Sequence, residues 1–576
     1  MKFCVLALDY DGTIAEHGRP DPAVMAALHE ARAKGIVLVL VTGRILADLR
    51  RVAVDLSVFE AIVAENGAVL AFPNRRDRVL GRSPPPSLLE ELRAHGVEFS
   101  VGACVLEAEA SFATTILRAV RQQELPLVLL LNRSRMMLLP QGISKATGLR
   151  EALNTLRLSL HNCLAIGDAE NDFQLLEAAE IGVAAGWGSA SLRVIADVIV
   201  PGSGPSALAG YIREIIANTR MPATRLARHH VLLGQTTDDQ PLEIPVSGRI
   251  ILVAGDPRSG KSWITGLFCE QLLLQGYCLC IIDPEGDYAP LEALPGMVRF
   301  GGDEFPPRLP DIARALRYPD VSVVVDLSHV AHESKVAYIR ELLPMVAELR
   351  RKSGQPHWIV VDEAHYFLPD PDFRERVDIE LAGYMLVTHR VSNLHPDLLK
   401  EVESIIVTQI TDPREAQALT SMYGCRGEEE RWHSLLRQLT VDAAALLPRV
   451  GTDECALQRF MVAPRMTPHV RHRAKYLDVP MKPHHGFVFT GDGKPIGGPA
   501  CTLRDFVAML PHLPPTSINE HVRRSDFSRW IGDVFGDQPL AADLLKVERE
   551  YRHGGVSNPV PMLISRIHAR YELGEM

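Results

Sequence analysis

The chain has 576 residues, of which 47% are hydrophobic and 23% are charged, a composition typical of folded globular proteins. This length exceeds what one hydrophobic core usually supports, so we expect about three or four domains. The formal net charge of -10 argues against a surface that binds nucleic acid throughout, although a local basic groove is compatible with it. No apolar run approaches the ~18 residues of a membrane span, and scattered cysteines favour a reducing, cytoplasmic environment.

Residues 1 to about 218 alternate short apolar strands with helical stretches, which is typical of a parallel α/β sheet. The first strand, FCVLAL, leads into Asp9 and Asp11. Because strand residues two apart point to the same side, both carboxylates could face one pocket at the carboxyl edge of the sheet. One carboxylate could attack phosphorus while the other handles the leaving-group proton. Taken alone, this motif could equally be a surface turn.

Three later segments supply complementary groups. The strand IVLVLVTGR ends at Thr42 and Gly43, where a hydroxyl suits a phosphate oxygen. Lys145 is placed to open a helix and could neutralise both a phosphate and a nucleophile. The strand CLAIGD ends at Asp168, with Asp172 on the following turn, and acidic groups there suit Mg²⁺. Together these segments favour a phosphate site over a surface turn.

The motifs DYDGT, VTGR, ISKATG and GDAEND resemble those of haloacid dehalogenase superfamily phosphatases, and AENGA at 64–68 resembles the Cof-type subgroup. The resemblance implies an α/β multidomain chain that begins with a Rossmann-like domain and a small cap inserted at about 75–140. It implies Asp9 as nucleophile and Asp11 as general acid/base. Phosphate ligands would be Thr42, Gly43 and Lys145, and Mg²⁺ would lie among Asp9, Asp11, Asp168 and Asp172. A sugar phosphate is the first substrate expected, and a catalytically silent scaffold is the alternative.

A second α/β series spans residues 219–465 and contains GDPRSGKS between the strand RIILVA and the helical WITGLF. This is the G-x-x-x-x-G-K-[ST] pattern in its strand–loop–helix setting. Loop N–H groups and a helix start together bind phosphates. Lys261 would reach the β- and γ-phosphates, and Ser262 would ligate Mg²⁺. The predicted ATP ligands here are Gly255, Ser259, Gly260, Lys261 and Ser262.

The apolar strand in HWIVVDEAH closes on Asp362 and Glu363. Asp362 could hold the Mg²⁺ shell, while Glu363 could orient or deprotonate the attacking water. The alternative is a helix N-cap that uses the same two residues for their dipole interaction. His389, in VTHR, could donate a hydrogen bond to a γ-phosphate.

Residues 228 to about 440 resemble the HerA branch of the HerA/FtsK ATPases, through HHVLLG, GDPRSGKS, IIDPEGDY, WIVVDEAH, VTHR and ITDPREA. The resemblance implies ATP hydrolysis by a homo-oligomer, typically a hexameric ring that moves DNA or protein. His389 stands where the family usually has Gln, and Arg258 where it often has Gly. Arg350, Arg351 and Lys352 are best explained as cations at a helix end. A role for DNA therefore rests on resemblance and not on composition.

Residues 466–484 are rich in Pro and His and predict a linker, and residues 485–576 predict a small helical module. Its polar cluster of His521, Arg523, Arg524 and Asp526 could bind a metal or phosphate, but a hydrogen-bonded helix junction is favoured. We therefore expect a cytoplasmic, bifunctional enzyme that hydrolyses phosphomonoesters through an aspartyl-phosphate and also hydrolyses ATP. In the alternative, an oligomeric motor or switch acts on DNA or a protein, and the phosphatase-like domain regulates it or processes nucleic-acid ends.

Overall fold

The computed structural model describes residues 1–52, 55–132, 134–218, 220–221, 228–246, 248–257, 259–423, 429–447, 457–467, 486–491, 493–535 and 538–571. They form two compact units. One contains the described residues up to 467 except 285–287, and the other contains those from 486 onward together with 285–287. Among the described residues, no helix is both long and apolar enough to cross a membrane.

The first α/β region carries fourteen strands and eight helices within its described residues. The strands are β1 (Val5–Leu8), β2 (Ala15–Glu16), β3 (Arg19–Pro20), β4 (Val37–Val41), β5 (Ala61–Ala64), β6 (Val69–Ala71), β7 (Arg78–Val79), β8 (Phe99–Val101), β9 (Leu106–Glu109), β10 (Leu127–Asn132), β11 (Arg135–Pro140), β12 (Cys163–Gly167), β13 (Ile181–Ala185) and β14 (Val198–Val200). The helices are α1 (Pro22–Ala33), α2 (Leu46–Val52), α3 (Pro86–Ala94), α4 (Ala113–Gln122), α5 (Lys145–Leu156), α6 (Phe173–Ala178), α7 (Ala190–Ile195) and α8 (Ser206–Ile215).

The main sheet of this region has the order β14-β13-β12-β1-β4-β5-β6-β7. Strands β14 to β5 run parallel, and β6 and β7 extend the edge in antiparallel fashion. Every residue of β1 is buried, as expected for a parallel strand covered on both faces. Because β1 lies between β12 and β4, the residues that follow these three strands meet at one edge of the sheet.

A separate antiparallel sheet lies between the second and third motif segments, in the order β10-β11-β9-β8. Helices α3 and α4 pack on it through a hydrophobic core of its own, which includes Leu88, Leu106, Ile116 and Leu138. This small α/β layer occupies residues 86–140, inside the interval expected for a cap.

The second α/β region forms an eleven-stranded sheet in the order β16-β15-β25-β24-β23-β17-β22-β21-β18-β20-β19. Its strands are β15 (His230–Thr236), β16 (Pro241–Pro245), β17 (Ile250–Ala254), β18 (Leu279–Asp283), β19 (Met297–Gly301), β20 (Ser322–Asp326), β21 (Trp358–Val361), β22 (Tyr384–Thr388), β23 (Ser404–Val407), β24 (Ala443–Leu446) and β25 (Gln458–Val462). Its helices are α9 (Lys261–Leu274), α10 (Leu309–Ala315), α11 (His332–Ser353), α12 (Phe373–Arg376), α13 (Pro396–Lys400), α14 (Pro413–Tyr423) and α15 (Glu429–Arg437).

The apolar segments RIILVAG, YCLCIID, VSVVVDL, HWIVVDE, YMLVTH and SIIVTQ contain the parallel strands β17, β18, β20, β21, β22 and β23. The adjacent residues Val298 and Arg299 of the parallel edge strand β19 are exposed, and β24 and β25 belong to the antiparallel part of the sheet.

The two α/β regions share a buried contact within the larger unit. The ring of His161, beside β12, stacks on Tyr277 with centroids 3.7 Å apart. The side-chain oxygen of Asn162 lies 3.1 Å from Nε2 of His357, which precedes β21. The expected boundary near residue 218 thus separates two sheets in sequence, while the folded regions pack into one compact unit.

The smaller unit contains a short hairpin followed by helices. Its elements are β26 (Thr490–Gly491), β27 (Lys494–Pro495), α16 (Leu503–Met509), α17 (Pro515–Arg524), α18 (Asp526–Trp530), α19 (Gln538–Arg552) and α20 (Val560–Tyr571). Phe487, Phe506, Phe527 and Trp530 pack together in its core. Of the predicted linker at 466–484, residues 468–484 lie outside the described residues.

Candidate active sites

The first site is built around an ion pair between Asp9 and Lys145. Asp9 directly follows β1, and Lys145 is the first residue of α5, whose start is fixed by a capping box of Ser144 and Thr147. The Lys145 ammonium donates hydrogen bonds to Asp9 Oδ1 and to Asp172 Oδ1, both at 2.5 Å. Burial and the neighbouring carboxylates raise the pKa of Asp9 well above its ordinary value, against the opposing effect of Lys145.

Three buried carboxylates cluster here, and two of them contact the Lys145 ammonium. Oxygen atoms of Asp9, Asp168 and Asp172 all lie within 4.8 Å of one another. Asp172 also accepts hydrogen bonds from the N–H groups of Asp168 and Ala169, at 3.0 and 3.1 Å. Burial lowers the pKa of Lys145, but the Asp172 and Asp9 carboxylates together raise it more, so its net pKa stands above the ordinary value. The three carboxylates outnumber the one lysine and form an oxygen-rich donor set that fits a hard divalent cation such as Mg²⁺.

Gly12 allows the chain to pass close to this cluster. Its φ is +85°, and a Cβ placed there would lie 2.2 Å from Asp168 Oδ2. Any other side chain would therefore displace the carboxylate. The indole nitrogen of Trp187 donates a hydrogen bond of 2.7 Å to the Gly12 carbonyl and supports this turn.

Asp11 does not join the carboxylate cluster. Its two oxygens accept hydrogen bonds from Nε and Nη2 of Arg44, both at 2.6 Å, and its side chain is 46% exposed. Strand β1 ends at Leu8, and the chain then turns, with the N–H groups of Ile14 and Ala15 bonded to the Tyr10 carbonyl. The two-residue alternation assumed in the sequence therefore stops before Asp11. The side chain of Asp11 therefore lies outside the carboxylate cluster, and its role as a metal ligand stays a prediction.

Thr42 and Gly43 lie at the end of β4, beneath the cap. Thr42 is buried, and its hydroxyl oxygen accepts a hydrogen bond of 3.1 Å from the Arg44 N–H. A Cβ added to Gly43 would lie 2.7 Å from Cε of Met137, a cap residue on β11. Glycine here lets the cap approach the end of β4 closely.

Glu65 connects the core to the cap and was not singled out in the sequence. Its buried carboxylate accepts hydrogen bonds from the N–H groups of Ala103, Cys104 and Val105, at 3.0, 2.9 and 3.4 Å. Breaking these hydrogen bonds would cost free energy, so Glu65 holds in place the cap segment between β8 and β9. Glu65 belongs to the segment AENGA, which in the sequence indicated only a resemblance to the Cof-type subgroup.

The second site begins with the loop between β17 and α9. Gly255 packs against Thr408 so closely that a Cβ would lie 1.9 Å from its hydroxyl oxygen. The Ser259 hydroxyl lies 2.6 Å from the Asp256 carbonyl and 2.5 Å from the Thr408 hydroxyl. The Lys261 ammonium donates a 2.9 Å hydrogen bond to that same carbonyl.

Gly260 caps α9 with a φ of 102°, so that Lys261 and Ser262 are the first two helical residues. The loop thus has a left-handed residue before a helix start, which is the backbone arrangement that phosphate-binding loops use. Arg258 lies outside the described residues.

Asp362 and Glu363 follow β21, which pairs with β22, and β22 in turn pairs with β17. Asp362 is buried, and its Oδ1 accepts a 2.8 Å hydrogen bond from the Glu363 N–H. Glu363 has a φ of 48°, an uncommon conformation for a non-glycine residue that is often found at functional sites. The sheet order therefore brings both acids to the edge that carries the Lys261 loop.

His389 contacts Glu363, a pairing the sequence did not predict. Its Nδ1 lies 3.0 Å from Glu363 Oε2. The Nδ1 of His365 lies 3.5 Å from the same oxygen and 3.1 Å from the Thr388 hydroxyl. Burial lowers the pKa of His365 to about 3, partly against the effect of Glu363. His389 directly follows β22 and Glu363 lies two residues after β21, and the pairing of these two strands makes the two side chains neighbours.

The polar cluster of the smaller unit forms a helix junction. His521 Nδ1 lies 2.8 Å from Asp526 Oδ2, and its Nε2 accepts a 2.9 Å hydrogen bond from the Thr490 N–H. Arg524 Nε donates to the same Asp526 oxygen at 2.9 Å. These residues line a cavity of about 410 Å³ that also includes Trp530. Their hydrogen bonds with one another agree with the junction that the sequence favoured.

Known proteins resemble the first α/β region. A family model for haloacid dehalogenase-like hydrolases matches residues 6–116 and 131–212. A phosphoglycolate phosphatase of Aeropyrum pernix is 27% identical over 235 residues, which cover 38% of this chain and 96% of the relative. That of Methanoculleus marisnigri is 30% identical over 194 residues, which cover 31% of this chain and 82% of the relative.

A solved structure of a haloacid dehalogenase-like hydrolase from Bacteroides thetaiotaomicron aligns with a TM-score of 0.33 at 20% identity. The alignment covers 37% of this chain and 100% of the Bacteroides chain. The N-terminal region matches in sequence and carries the buried Asp9–Lys145 pair at the edge of a Rossmann-like sheet. Through this region, the chain belongs to the haloacid dehalogenase-like hydrolases.

Proposed function

We propose that the N-terminal domain hydrolyses small phosphomonoesters through a phosphoryl group carried on Asp9. The observation that carries this proposal is the buried Lys145 ammonium bonded to both Asp9 and Asp172 at 2.5 Å. An Asp9 oxygen attacks phosphorus, and the bond from phosphorus to the ester oxygen breaks. The leaving alcohol takes a proton from Asp11. Water then attacks the acyl phosphate, Asp11 takes its proton, and inorganic phosphate leaves.

The remaining residues bind and orient the phosphate. Lys145 keeps one positive charge beside Asp9, and the Thr42 hydroxyl lies at the neighbouring strand end to meet a phosphate oxygen. Mg²⁺, held by Asp9, Asp168 and Asp172, would offset the acids and draw charge from the phosphoryl oxygens. This donor set supports Mg²⁺ dependence.

The pairing of Asp11 with Arg44 supports a substrate class. While both Asp11 oxygens accept from Arg44, the carboxylate has no proton to give to a leaving group. A substrate with a second anionic group would compete for the Arg44 guanidinium and release Asp11. Phosphoglycolate, the substrate named for the archaeal relatives, carries such a carboxylate. We therefore place short phosphorylated acids first and sugar phosphates second.

The direct test is phosphate release from a panel of phosphorylated metabolites with Mg²⁺ present. The panel should contain phosphoglycolate, 3-phosphoglycerate, glycerol 3-phosphate and hexose 6-phosphates. Asp9→Asn, which keeps the size of the side chain, is the control for contaminating phosphatases. The proposal is supported if the wild-type protein hydrolyses a substrate that Asp9→Asn does not. Equal hydrolysis by both proteins, or hydrolysis of no substrate, contradicts it.

We further propose that the second α/β region binds and hydrolyses ATP. Support comes from the loop at 255–260 before α9 and from Asp362 and Glu363 at a nearby strand end. In this account Lys261 contacts the β- and γ-phosphates, and Ser262 and Asp362 hold Mg²⁺. Glu363, oriented by His389, activates water, and Gly255, Ser259 and Gly260 supply loop contacts to ATP.

ATP hydrolysis should be measured in the Asp9→Asn background, so that the first domain cannot contribute phosphate release. In that background, Lys261→Ala should remove the remaining activity. ATP hydrolysis that persists without Lys261, or is missing while Lys261 is intact, contradicts this second function.

Assembly into a homo-oligomer, a hexamer by resemblance to HerA, stays a prediction, as does a cytoplasmic location. Light scattering with and without ATP measures the oligomeric state. Added DNA that stimulates ATP hydrolysis would favour the alternative of a motor or switch, in which the first domain regulates it or processes nucleic-acid ends. The lack of any effect would favour two activities on small molecules.

A further inference from the structure

Two imidazoles and one carboxylate converge at the end of the second sheet. His365 and His389 follow the paired strands β21 and β22. Their Nδ1 atoms lie 3.5 Å and 3.0 Å from the same oxygen, Glu363 Oε2. The three ligand-type atoms all lie within 4.8 Å of one another.

These separations match the ligand sphere of a small ion. Ligands that bind a tetrahedral Zn²⁺ at about 2.0–2.1 Å are about 3.3 Å apart from one another. Imidazole nitrogen with carboxylate oxygen is a donor set that suits Zn²⁺, whereas Mg²⁺ prefers oxygen alone.

The surroundings allow an ion to enter and to be held. The side chains of His365 and Glu363 are buried, while that of His389 is 21% exposed and borders solvent. The second ring nitrogen of His365, Nε2, is buried without a hydrogen-bond partner within the described residues. Its Nδ1 lies 3.1 Å from the Thr388 hydroxyl, a contact that a bound ion would replace. Because Nε2 has no partner among the described residues to fix the tautomer from the other side, Nδ1 can act as a ligand.

We propose that Glu363, His365 and His389 form a transition-metal site that binds Zn²⁺. With the ion bound, the Glu363 carboxylate cannot activate water, so Zn²⁺ inhibits ATP hydrolysis at this site. The inhibition rests on the proposed ATPase function, whereas metal binding does not.

A second histidine and carboxylate cluster gives a matched control. His161, Glu180 and His229 also lie within 4.8 Å of one another by their ligand-type atoms. Here, however, His161 uses both ring nitrogens, with Nδ1 at 2.8 Å from Glu180 and Nε2 at 2.9 Å from the Gln275 carbonyl. A metal would have to break this arrangement, so the cluster is structural.

Binding is tested with Co²⁺, a spectroscopic substitute for Zn²⁺, on the purified full-length chain in excess Mg²⁺. Bound Co²⁺ and its visible absorption are measured for wild type, His389→Gln and His229→Gln after dialysis. His389→Gln should bind less Co²⁺ than wild type by a full equivalent per chain, and His229→Gln should match wild type. Equal binding by wild type and His389→Gln, or an equal loss in His229→Gln, overturns the proposal.

Glu363→Gln provides a second variant if circular dichroism shows that His389→Gln does not fold. It removes the shared oxygen ligand with little change of volume and should lose the same equivalent. Full Co²⁺ binding by a folded Glu363→Gln would also overturn the site.

Inhibition is tested as the ratio of ATP hydrolysis with and without Zn²⁺, each protein serving as its own reference. Removal of one ligand should weaken Zn²⁺ inhibition by at least about 10-fold in His389→Gln. The same inhibition constant in both proteins would overturn the regulatory part. A chain that binds Co²⁺ through His389 but never hydrolyses ATP would contradict the ATPase function and leave the metal site standing.

Discussion

The two candidate sites place a lysine in the same local position but in different electrostatic settings. Lys145 and Lys261 are each the first residue of a helix at the end of parallel strands. Lys145 donates to two buried carboxylates, whereas the contacts of Lys261 include a hydrogen bond to a neutral carbonyl in its own loop. The positive charge of Lys145 partly offsets the buried acids of the first site. In the proposed ATPase, the charge of Lys261 would meet a phosphate of ATP. A helix-start lysine therefore does not define a chemistry until its partners are known.

The largest effect should follow removal of the charge at the first site. Lys145→Met leaves Asp9, Asp168 and Asp172 buried without their ammonium, and phosphatase activity should fall by at least about 1,000-fold. The same variant should depend on Mg²⁺ for its thermal stability more than wild type does. Phosphate release and melting temperature check both effects. Activity within a few-fold of wild type would refute the role of Lys145, and ATP hydrolysis should stay unchanged as the control.

At the second site, Lys261→Ala should weaken ATP binding by about 10- to 100-fold, because a charge-assisted hydrogen bond to phosphate is lost. Titration with a fluorescent ATP analogue measures the dissociation constant. Lys400→Ala is the control, since that lysine is exposed and pairs with Asp397 in its own helix. Phosphatase activity should be the same in both variants. If it falls with Lys261→Ala, the two sites are not independent.

Arg44→Gln separates substrate classes within the first site. Its kcat/KM for phosphoglycolate should fall by about 10- to 100-fold, and by less for glycerol 3-phosphate, which lacks the carboxylate. Arg50→Gln is the matched control, because Arg50 makes a similar two-point pair with Asp77 at the surface. An equal loss of kcat/KM for both substrates would mean that Arg44 does not bind a second anionic group of the substrate.

The smallest effect concerns stability and pH at the contact between the two α/β regions. Burial, with His161 and Arg350 nearby, lowers the pKa of His357 well below its ordinary value. The unfolded chain then binds more protons below about pH 6.5, so the free energy of unfolding should decrease as pH falls from 7 to 5. This single group contributes up to about 1.4 kcal/mol per pH unit. His357→Gln should flatten the slope, whereas His29→Gln, an exposed histidine, should not.

The features that were predictable from sequence depend on residues close together in the chain. Strand-end positions of Asp9, Thr42 and Asp168 followed from apolar runs that stop at polar residues, because parallel strands align their ends. Lys145 at a helix start followed from the serine before it and the helical pattern after it.

What the sequence did not predict depends on contacts between distant segments. The Asp11–Arg44 pair joins a turn to another strand end, and the Glu65 contacts join the core to the cap. Arg350 lies in the last turn of α11, as expected for a helix-end cation, but its burial was not predicted: it is fully buried and donates to the carbonyls of His357 and Leu381. No local pattern distinguishes such an arginine from an exposed one.

The most direct measurement of the central claim uses one preparation each of wild type and Asp9→Asn. Phosphate release from p-nitrophenyl phosphate and from ATP is measured on both, with Mg²⁺ in excess. We expect Asp9→Asn to lose hydrolysis of p-nitrophenyl phosphate and to keep ATP hydrolysis at the wild-type rate. Retention of p-nitrophenyl phosphate hydrolysis, or loss of both activities together, would contradict it.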